Sequence, residues 1–421
     1  MIKTLLPREP VARALTFSTM ALAASNGVFY AVSVLYFTRV VGLSATTVGL
    51  GLGIAGGAGV LGSFLAGRWA DRLGAHRLQW WGVAVQGAAL GAYTLATGPW
   101  TFVAAAVVAV GARGVHGTAR QALIARWFTG PDRVEVRARL RVVMNVFIGL
   151  GTLLAATALA VDTAAAYRTA MAVVAVLLLL AVVPVCRLPR RVPDLAEQMV
   201  GRRRAGHDEA GTCGTWDDPG VHPLRDRRYV ASVAANSVIA VQFGVLTVGI
   251  PLWVASTAAP PVIVSGLLVV NTVLVAMLQV RASRGTHDVR RAGRSVRRGS
   301  VLLAAACVLY AAAGYGNVLV ACALLVVAAV AHSLAETLAE AGAWGMAFEL
   351  ADPRRAGEYQ GLTQTGIALA TMAAPVVVTL LPVRYGTPGW LALAAVFLLA
   401  GAAAAAVARM PAPVAASTVR G

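Results

Sequence analysis

Twelve apolar runs, separated by short charged segments, decide what this chain can become. They occupy 14–38, 44–66, 78–97, 100–121, 142–161, 169–186, 229–256, 261–280, 299–314, 318–345, 359–381 and 389–408. A helix needs ~20 apolar residues to cross ~30 Å of hydrocarbon, and all but the ninth run approach or exceed that length. The ninth can borrow from its flanks. No alternation marks lipid-facing strands. Backbone groups inside a bilayer must be satisfied within the segment, so helices are the expected spanning form. Only 13% of the 421 residues are charged, against ~25% in soluble domains. An all-α membrane protein with twelve transmembrane helices follows. The stretch 14–24 before Ser25 has the look of a signal-peptide core, but the apolar sequence continues to Phe37. It is therefore assigned to a first spanning helix rather than a cleaved leader.

The net charge of +18 would suggest nucleic acid in a soluble chain. Here the basic residues fall between the apolar runs and report topology instead. With the N-terminus in the cytoplasm, segments 1–13, 67–77, 120–141, 187–228, 281–298, 346–357 and 409–421 share one side. They hold 32 of the 36 Lys and Arg residues; the opposite loops hold Arg39, Arg168 and Arg384. This asymmetry places both termini in the cytoplasm of a multi-pass cell-membrane protein. All but Lys3 are arginine, and Ala, Gly and Val abound, as in a GC-rich bacterial genome. Four scattered cysteines imply neither a disulfide framework nor a metal site. His207 and Cys213 lack zinc-ligand spacing. No cofactor is expected.

The longest gap, 188–228, is rich in Arg, Asp, Gly and Pro, with Arg202, Arg203, Arg204, Asp217 and Asp218. It has the composition of a partly disordered linker. It divides the chain into a six-helix lobe at 1–187 and another at 229–421. An offset of 217 residues brings Asp71 onto Asp288, Arg137 onto Arg354 and Gly149 onto Gly366. Two pseudo-symmetric lobes with a cavity between them are expected.

The charged island at 67–77 reads Gly67, Arg68, Trp69, Ala70, Asp71, Arg72, Leu73, Gly74, Ala75, His76, Arg77. It predicts a tight turn between the second and third helices. Glycine permits close packing and a left-handed backbone, and Asp71 suits the positive end of a neighbouring helix. This loop resembles the Gly-x-x-x-Asp-Arg-x-Gly-Arg-Arg/Lys signature of the major facilitator superfamily of secondary transporters, with Ala75 and His76 replacing the usual basic pair. The likeness covers essentially the whole chain. It implies that Gly67, Asp71, Arg72, Gly74 and Arg77 latch the two lobes at a cytoplasmic gate. Asp288, Arg290 and Arg291 form the decayed counterpart. Arg113 with Gly117 resembles the helix-4 signature of the drug/proton antiporter branch. Glu358, Tyr359, Gln360 and Gly361, followed by Gln364 and Gly366, resemble the start of helix 11 in bacterial efflux-type facilitators. The fifth helix keeps Asn145, Gly149 and Gly151 but lacks the antiporter Gly-Pro.

Ionisable residues within apolar runs are costly and mark function by default. His332, Glu336 and Glu340 lie at i, i+4, i+8 on one face of the tenth helix. Arg113, His116 and Arg120 share a face of the fourth. The resemblance implies that helices 1, 4, 7 and 10 line the cavity, so the basic face of helix 4 is expected to look across at the acidic face of helix 10. A desolvated carboxylate holds a proton more readily, and an approaching arginine drives it off. That makes Glu336 first, then Glu340 and His332, with Arg113 and Arg120, the proton-coupling candidates. A static inter-lobe ion pair is the competing reading. Asn26, Tyr30, His116, Asn236, Gln242 and Asn271 are candidates to contact substrate or to bond helices together.

Gly51, Gly53 and Gly56 match a dinucleotide fingerprint as a string, but no strand precedes them. Close helix packing through Gly53 and Gly57 is the expectation instead. No phosphate loop is present for ATP hydrolysis. The expected protein is a monomeric transporter in a lipid bilayer, not an enzyme. It would export a small, mostly apolar organic compound by proton antiport. An importer or uniporter uses the same machine, and a receptor or intramembrane enzyme is the alternative of another class.

Overall fold

The computed structural model describes residues 7–195 and 220–411. The remainder of the linker, with Arg202, Arg203, Arg204, His207, Cys213, Asp217 and Asp218, lies outside the described residues, as do both chain ends. Twelve long helices account for the described residues, with no strand among them. They are α1 (Pro10–Leu35), α2 (Ala45–Leu73), α3 (Ala75–Ala92), α4 (Pro99–Trp127), α5 (Pro131–Val161) and α6 (Ala164–Cys186). After the linker come α7 (Arg227–Val254, passing through a π-turn at Val245–Gly249), α8 (Ile263–Ala282), α9 (Val289–Ala312), α10 (Val318–Glu349), α11 (Ala356–Val378) and α12 (Thr387–Arg409). Eleven are long and apolar enough to cross a membrane. The twelfth, α3, is shorter and more polar, and buries His76, Gln79 and Gln86.

The helix starts follow from local chemistry. An acceptor side chain satisfies the free amides of a first turn. Ser44 does so for α2, Asp226 for α7, Asp288 for α9 and Asn317 for α10. Proline at the first position of α1, α4 and α5 forfeits only an amide that would have no helical partner. Glu9 caps α1 and also accepts from Trp127 Nε1 at 2.9 Å, tying the start of α1 to the end of α4.

The charged island is helix rather than loop. α2 runs through Leu73, and the whole turn is Gly74, at φ 91° and ψ 126°. A side chain there is strained, so Gly74→Ala costs about 1–3 kcal/mol. The thermal midpoint of the purified protein should fall accordingly. The fifth and ninth helices also extend past their apolar runs, α5 by eleven residues and α9 by ten. Their arginines ride on the first turns of continuous helices. The hydropathy pattern marks where charge begins, not where helix ends.

The two groups of six helices pack by the same rule. In the first, α1 packs on α5 and α6, α3 on α4 and α6, and α2 on α4. In the second, α7 packs on α11 and α12, α9 on α10 and α12, and α8 on α10. Each pair recurs six helices later, as the 217-residue offset implies. The groups meet through α2 against α11, α4 against α11, and α5 against α8 and α10. At the arginine-rich end, one apolar cluster joins Ala66, Ala70 and Leu123 to Trp344, Phe348 and Ala356.

The glycine stripe packs, but at other positions than expected. A Cβ built on Gly53 or Gly57 meets nothing. Gly59 and Gly62 instead abut Val110 and Gly111 of α4, with the Gly111 carbonyl 2.6 Å from a Cβ at 62. The interface faces α4 half a turn away from the Gly53–Gly57 spacing.

Candidate functional site

Where α5 and α10 cross between the lobes, their charged residues form a ladder. Arg133 Nη1 lies 3.7 Å from Glu349, Arg137 Nη2 lies 3.1 Å from Glu340, and Arg141 Nη2 lies 3.0 Å from Glu336. Arg141 Nε is also 3.4 Å from the second oxygen of Glu340. The arginines ascend α5 while the acids descend α10, as antiparallel helices require. Spacing of i, i+4 keeps Arg133, Arg137 and Arg141 on one face of α5 and Glu336 and Glu340 on one face of α10, while Glu349 meets Arg133 at the end of α10. At 1.5 Å per residue, Glu336 sits ~27 Å along α10 from Val318, near the middle of a ~48 Å helix. It is 3% exposed.

Further contacts fix these groups. Asn271 of α8 donates to Glu336 Oε2 at 2.9 Å and to Ser333 Oγ at 3.2 Å. The Arg137 guanidinium lies 4.4 Å from the Trp344 ring centre, and that of Arg141 lies 5.2 Å from the Phe243 ring centre. An aromatic face is a favourable neighbour for a desolvated cation.

A cavity of about 220 Å³ lies beside the ladder. Its polar lining includes Arg120 and Gln121 of α4, Arg137 and Arg141 of α5, and Glu340 of α10. Asn236 and Gln242 of α7 and Gln364 of α11 add neutral groups, while Ile239, Phe243, Trp344 and Ile367 are apolar. Several lining atoms lack a hydrogen bond among the described residues: Arg120 Nε, Gln121 Oε1, Asn236 Oδ1, Gln242 Oε1 and Glu340 Oε2.

The sequence candidates separate on this geometry. Glu336 and Glu340 come together, but their ion-pair partners are Arg141 and Arg137 of α5, not the basic face of α4. Arg113 instead donates to Tyr30 Oη at 3.0 Å and lies over that ring. Arg120 reaches the cavity. His116 is buried inside the first lobe, 2.7 Å from Gln86. His332 turns from the cavity toward Tyr310 of α9, their ring centres 6.2 Å apart. Asn236 and Gln242 line the cavity, Asn271 binds Glu336, and Asn26 and Tyr30 of α1 line nothing there. Arg137 and Arg141 escape a hydropathy reading because they sit in a charged stretch that looks like loop. The signal available was their i, i+4 spacing, equal to that of Glu336 and Glu340.

At the arginine-rich end, Asp71 accepts from the amides of Gly357 at 2.8 Å and Glu358 at 3.0 Å, in the first turn of α11. It also pairs with Arg126 of α4, a residue outside the sequence signature. A carboxylate on three amide or guanidinium donors at a helix N-terminus is strongly favoured. Gly67 makes the approach possible: a Cβ there would lie 2.7 Å from the Gly357 carbonyl. Arg72 and Arg77 are exposed. Asp288 caps its own helix at Arg291 N, 2.7 Å away, and Arg290 and Arg291 are exposed. Among the described residues the second-lobe counterpart has the cap but no inter-lobe bond at Asp288.

A family model described as Major Facilitator Superfamily matches residues 15–375. The chain belongs to the major facilitator superfamily. It is a multi-pass membrane protein of a family of transporters. No curated protein matches the chain significantly. Among solved structures it is similar to the human organic anion transporter MFSD10 (TETRAN). The two are 16% identical, with a TM-score of 0.68 over 94% of this chain and 99% of that one. It is also similar to the proton:xylose symporter XylE bound to 6-bromo-6-deoxy-D-glucose. That pair is 13% identical, with a TM-score of 0.65 over 93% and 94%. A bacterial homologue of the iron transporter ferroportin, in an outward-facing state, is 14% identical, with a TM-score of 0.68 over 94% and 98%. At these identities the likeness concerns the fold.

Proposed function

We propose that this superfamily member is a secondary active transporter of a small organic compound, coupled to protons through Glu336 and Glu340. The observation that carries the reading is the ladder between α5 and α10. Each rung joins a residue of one lobe to a residue of the other, so the rungs break and reform whenever the lobes rock apart. A carboxylate that alternately has and lacks its arginine alternately releases and binds a proton. Glu336 and Glu340 share Arg141, so its departure is felt at both carboxylates. A static ion pair would hold the lobes shut and leave the unpartnered cavity atoms without a purpose.

The lobes are residues 1–187 and 229–421, joined by the cytoplasmic linker 188–228. The arginine-rich end faces the cytoplasm of a bacterial cell membrane, with both termini on that side. The bonds of Asp71 to α11 then close the cytoplasmic gate in this state. Export by antiport, the direction implied by the efflux-type motifs, requires substrate and proton to compete. Uptake by symport requires them to assist each other.

The test is a solute accumulation panel in cells with and without the gene. A difference in intracellular solute that an uncoupler abolishes supports the reading. No change in the flux of any solute class sinks it.

A further inference from the structure

The charges around the cavity do not balance. Arg120, Arg137 and Arg141 face only Glu340 and, behind it, Glu336. Among the described residues Arg137 and Arg141 have carboxylates in ion-pair distance, whereas Arg120 has none. The guanidiniums of Arg120 and Arg137 repel each other. The groups facing Glu340 from the other packed helices are neutral: Asn236 and Gln242 on α7, Asn271 and Gln279 on α8, and Gln364 on α11. An uncompensated cation in a membrane interior is expensive, and it stands on the wall of a cavity.

We infer that the cavity takes a small organic anion, a carboxylate on an apolar body, and that anion and proton are carried together. The inference rests on the transporter reading above and names its substrate class. Arg120 supplies the missing counter-charge for the anion, with Arg137 beside it. Ile239, Phe243, Trp344 and Ile367 receive the apolar body. The cavity is smaller than the ~300–1,000 Å³ usual for drug-sized ligands, so the body is small.

The sign of the coupling follows from the same charges. With both glutamates ionised the cluster of three arginines and two acids is net positive by one. A bound anion draws Arg137 from Glu340 and adds negative charge to the cluster, which favours uptake of a proton by the cluster as a whole. By reciprocity the proton helps the anion to bind to the same degree. One anion and one proton together leave the cluster's net charge unchanged. Loaded and empty carriers therefore cross at similar electrostatic cost. This is cotransport. It differs from the antiport implied by the efflux-type motifs, in which proton and substrate compete.

The test uses the purified full chain, with benzoate, phenylacetate and hexanoate as probes against the corresponding amides and amines. Thermal stabilisation reports binding, and a pH dye in weakly buffered solution reports protons. At least one carboxylate should bind, with proton uptake, up to about tenfold more tightly per unit fall in pH when one proton accompanies one ligand. Arg120→Gln should weaken that binding at least tenfold while raising the melting temperature of the empty protein, since a half-buried charge without a carboxylate partner has gone. Arg120→Lys should restore binding in part. A merely structural arginine would lower stability when removed. Proton release on binding, stabilisation by amides or amines only, or no response to any carboxylate overturns the inference. The flux of amines or amides without carboxylates, in the cell panel, would overturn the substrate class and leave the transporter reading standing.

Discussion

Arg141→Met should destabilise the protein by about 3–5 kcal/mol, the usual cost of leaving a buried charge without its partner. Glu336 would keep only the Asn271 amide, and Glu340 would lose one of its two arginines. Adding Glu336→Gln removes the stranded charge, so the double variant should recover most of the loss. Denaturant unfolding in detergent, followed by tryptophan fluorescence, gives both numbers. A single variant within about 1 kcal/mol of wild type, or a double variant no better than the single, would show that the rung is weakly coupled. The two carboxylates differ in this respect. Glu340 retains Arg137 at 3.1 Å whatever happens at 141, so Glu336 should dominate the effect.

The second large effect is expected at the arginine-rich end. Gly67→Val places carbon 2.7 Å from the Gly357 carbonyl and 2.9 Å from Glu358 Cα. Both are backbone atoms and cannot swing aside. The seam between α2 and α11 must part, and the two amide bonds to Asp71 go with it. Hydrogen bonds to a charged group contribute about 1.5–3 kcal/mol each. Losing two shifts the closed–open equilibrium by ~3 kcal/mol or more, roughly a hundredfold. Ser232→Cys, placed in the cavity of a chain whose native cysteines are serine, should then label much faster from the cytoplasmic side. Unchanged labelling would mean that this seam does not set the gate. Asp71→Asn keeps the shape but loses the charge, and should give a smaller shift in the same direction.

Much of the fold was legible because burial in a bilayer leaves one dominant signal, the length of an apolar run. All twelve runs correspond to helices. What failed was the inference that charge ends a helix. The island 67–77 apart from its turn at Gly74, the stretch 131–141 and the segment 289–298 are helical, and their arginines lie on faces that meet another helix, solvent or a carboxylate. The site was half legible. Glu336 and Glu340 stood out as acids in an apolar run, yet their partners did not, because Arg137 and Arg141 sat among other arginines. Which arginine faces which acid depends on how two lobes dock, and no local pattern in one strand of sequence encodes that. Asp71 illustrates the same limit. Its need for a helix N-terminus could be stated from the motif, but not that α11 of the other lobe would supply it, nor that Arg126 would join. Gly53 and Gly57 mislead for a related reason: a small-residue spacing says that a helix can be approached closely, not on which face.

The central claim is that the rungs of the α5–α10 ladder carry the coupling proton. Its most direct test is Glu336→Gln in proteoliposomes, with an imposed proton gradient and a solute identified by the accumulation panel. Gradient-driven accumulation should be lost, while exchange of labelled for unlabelled solute at equal pH persists, because the lobes still rock and the cavity still binds. Full gradient-driven accumulation by Glu336→Gln would contradict the account.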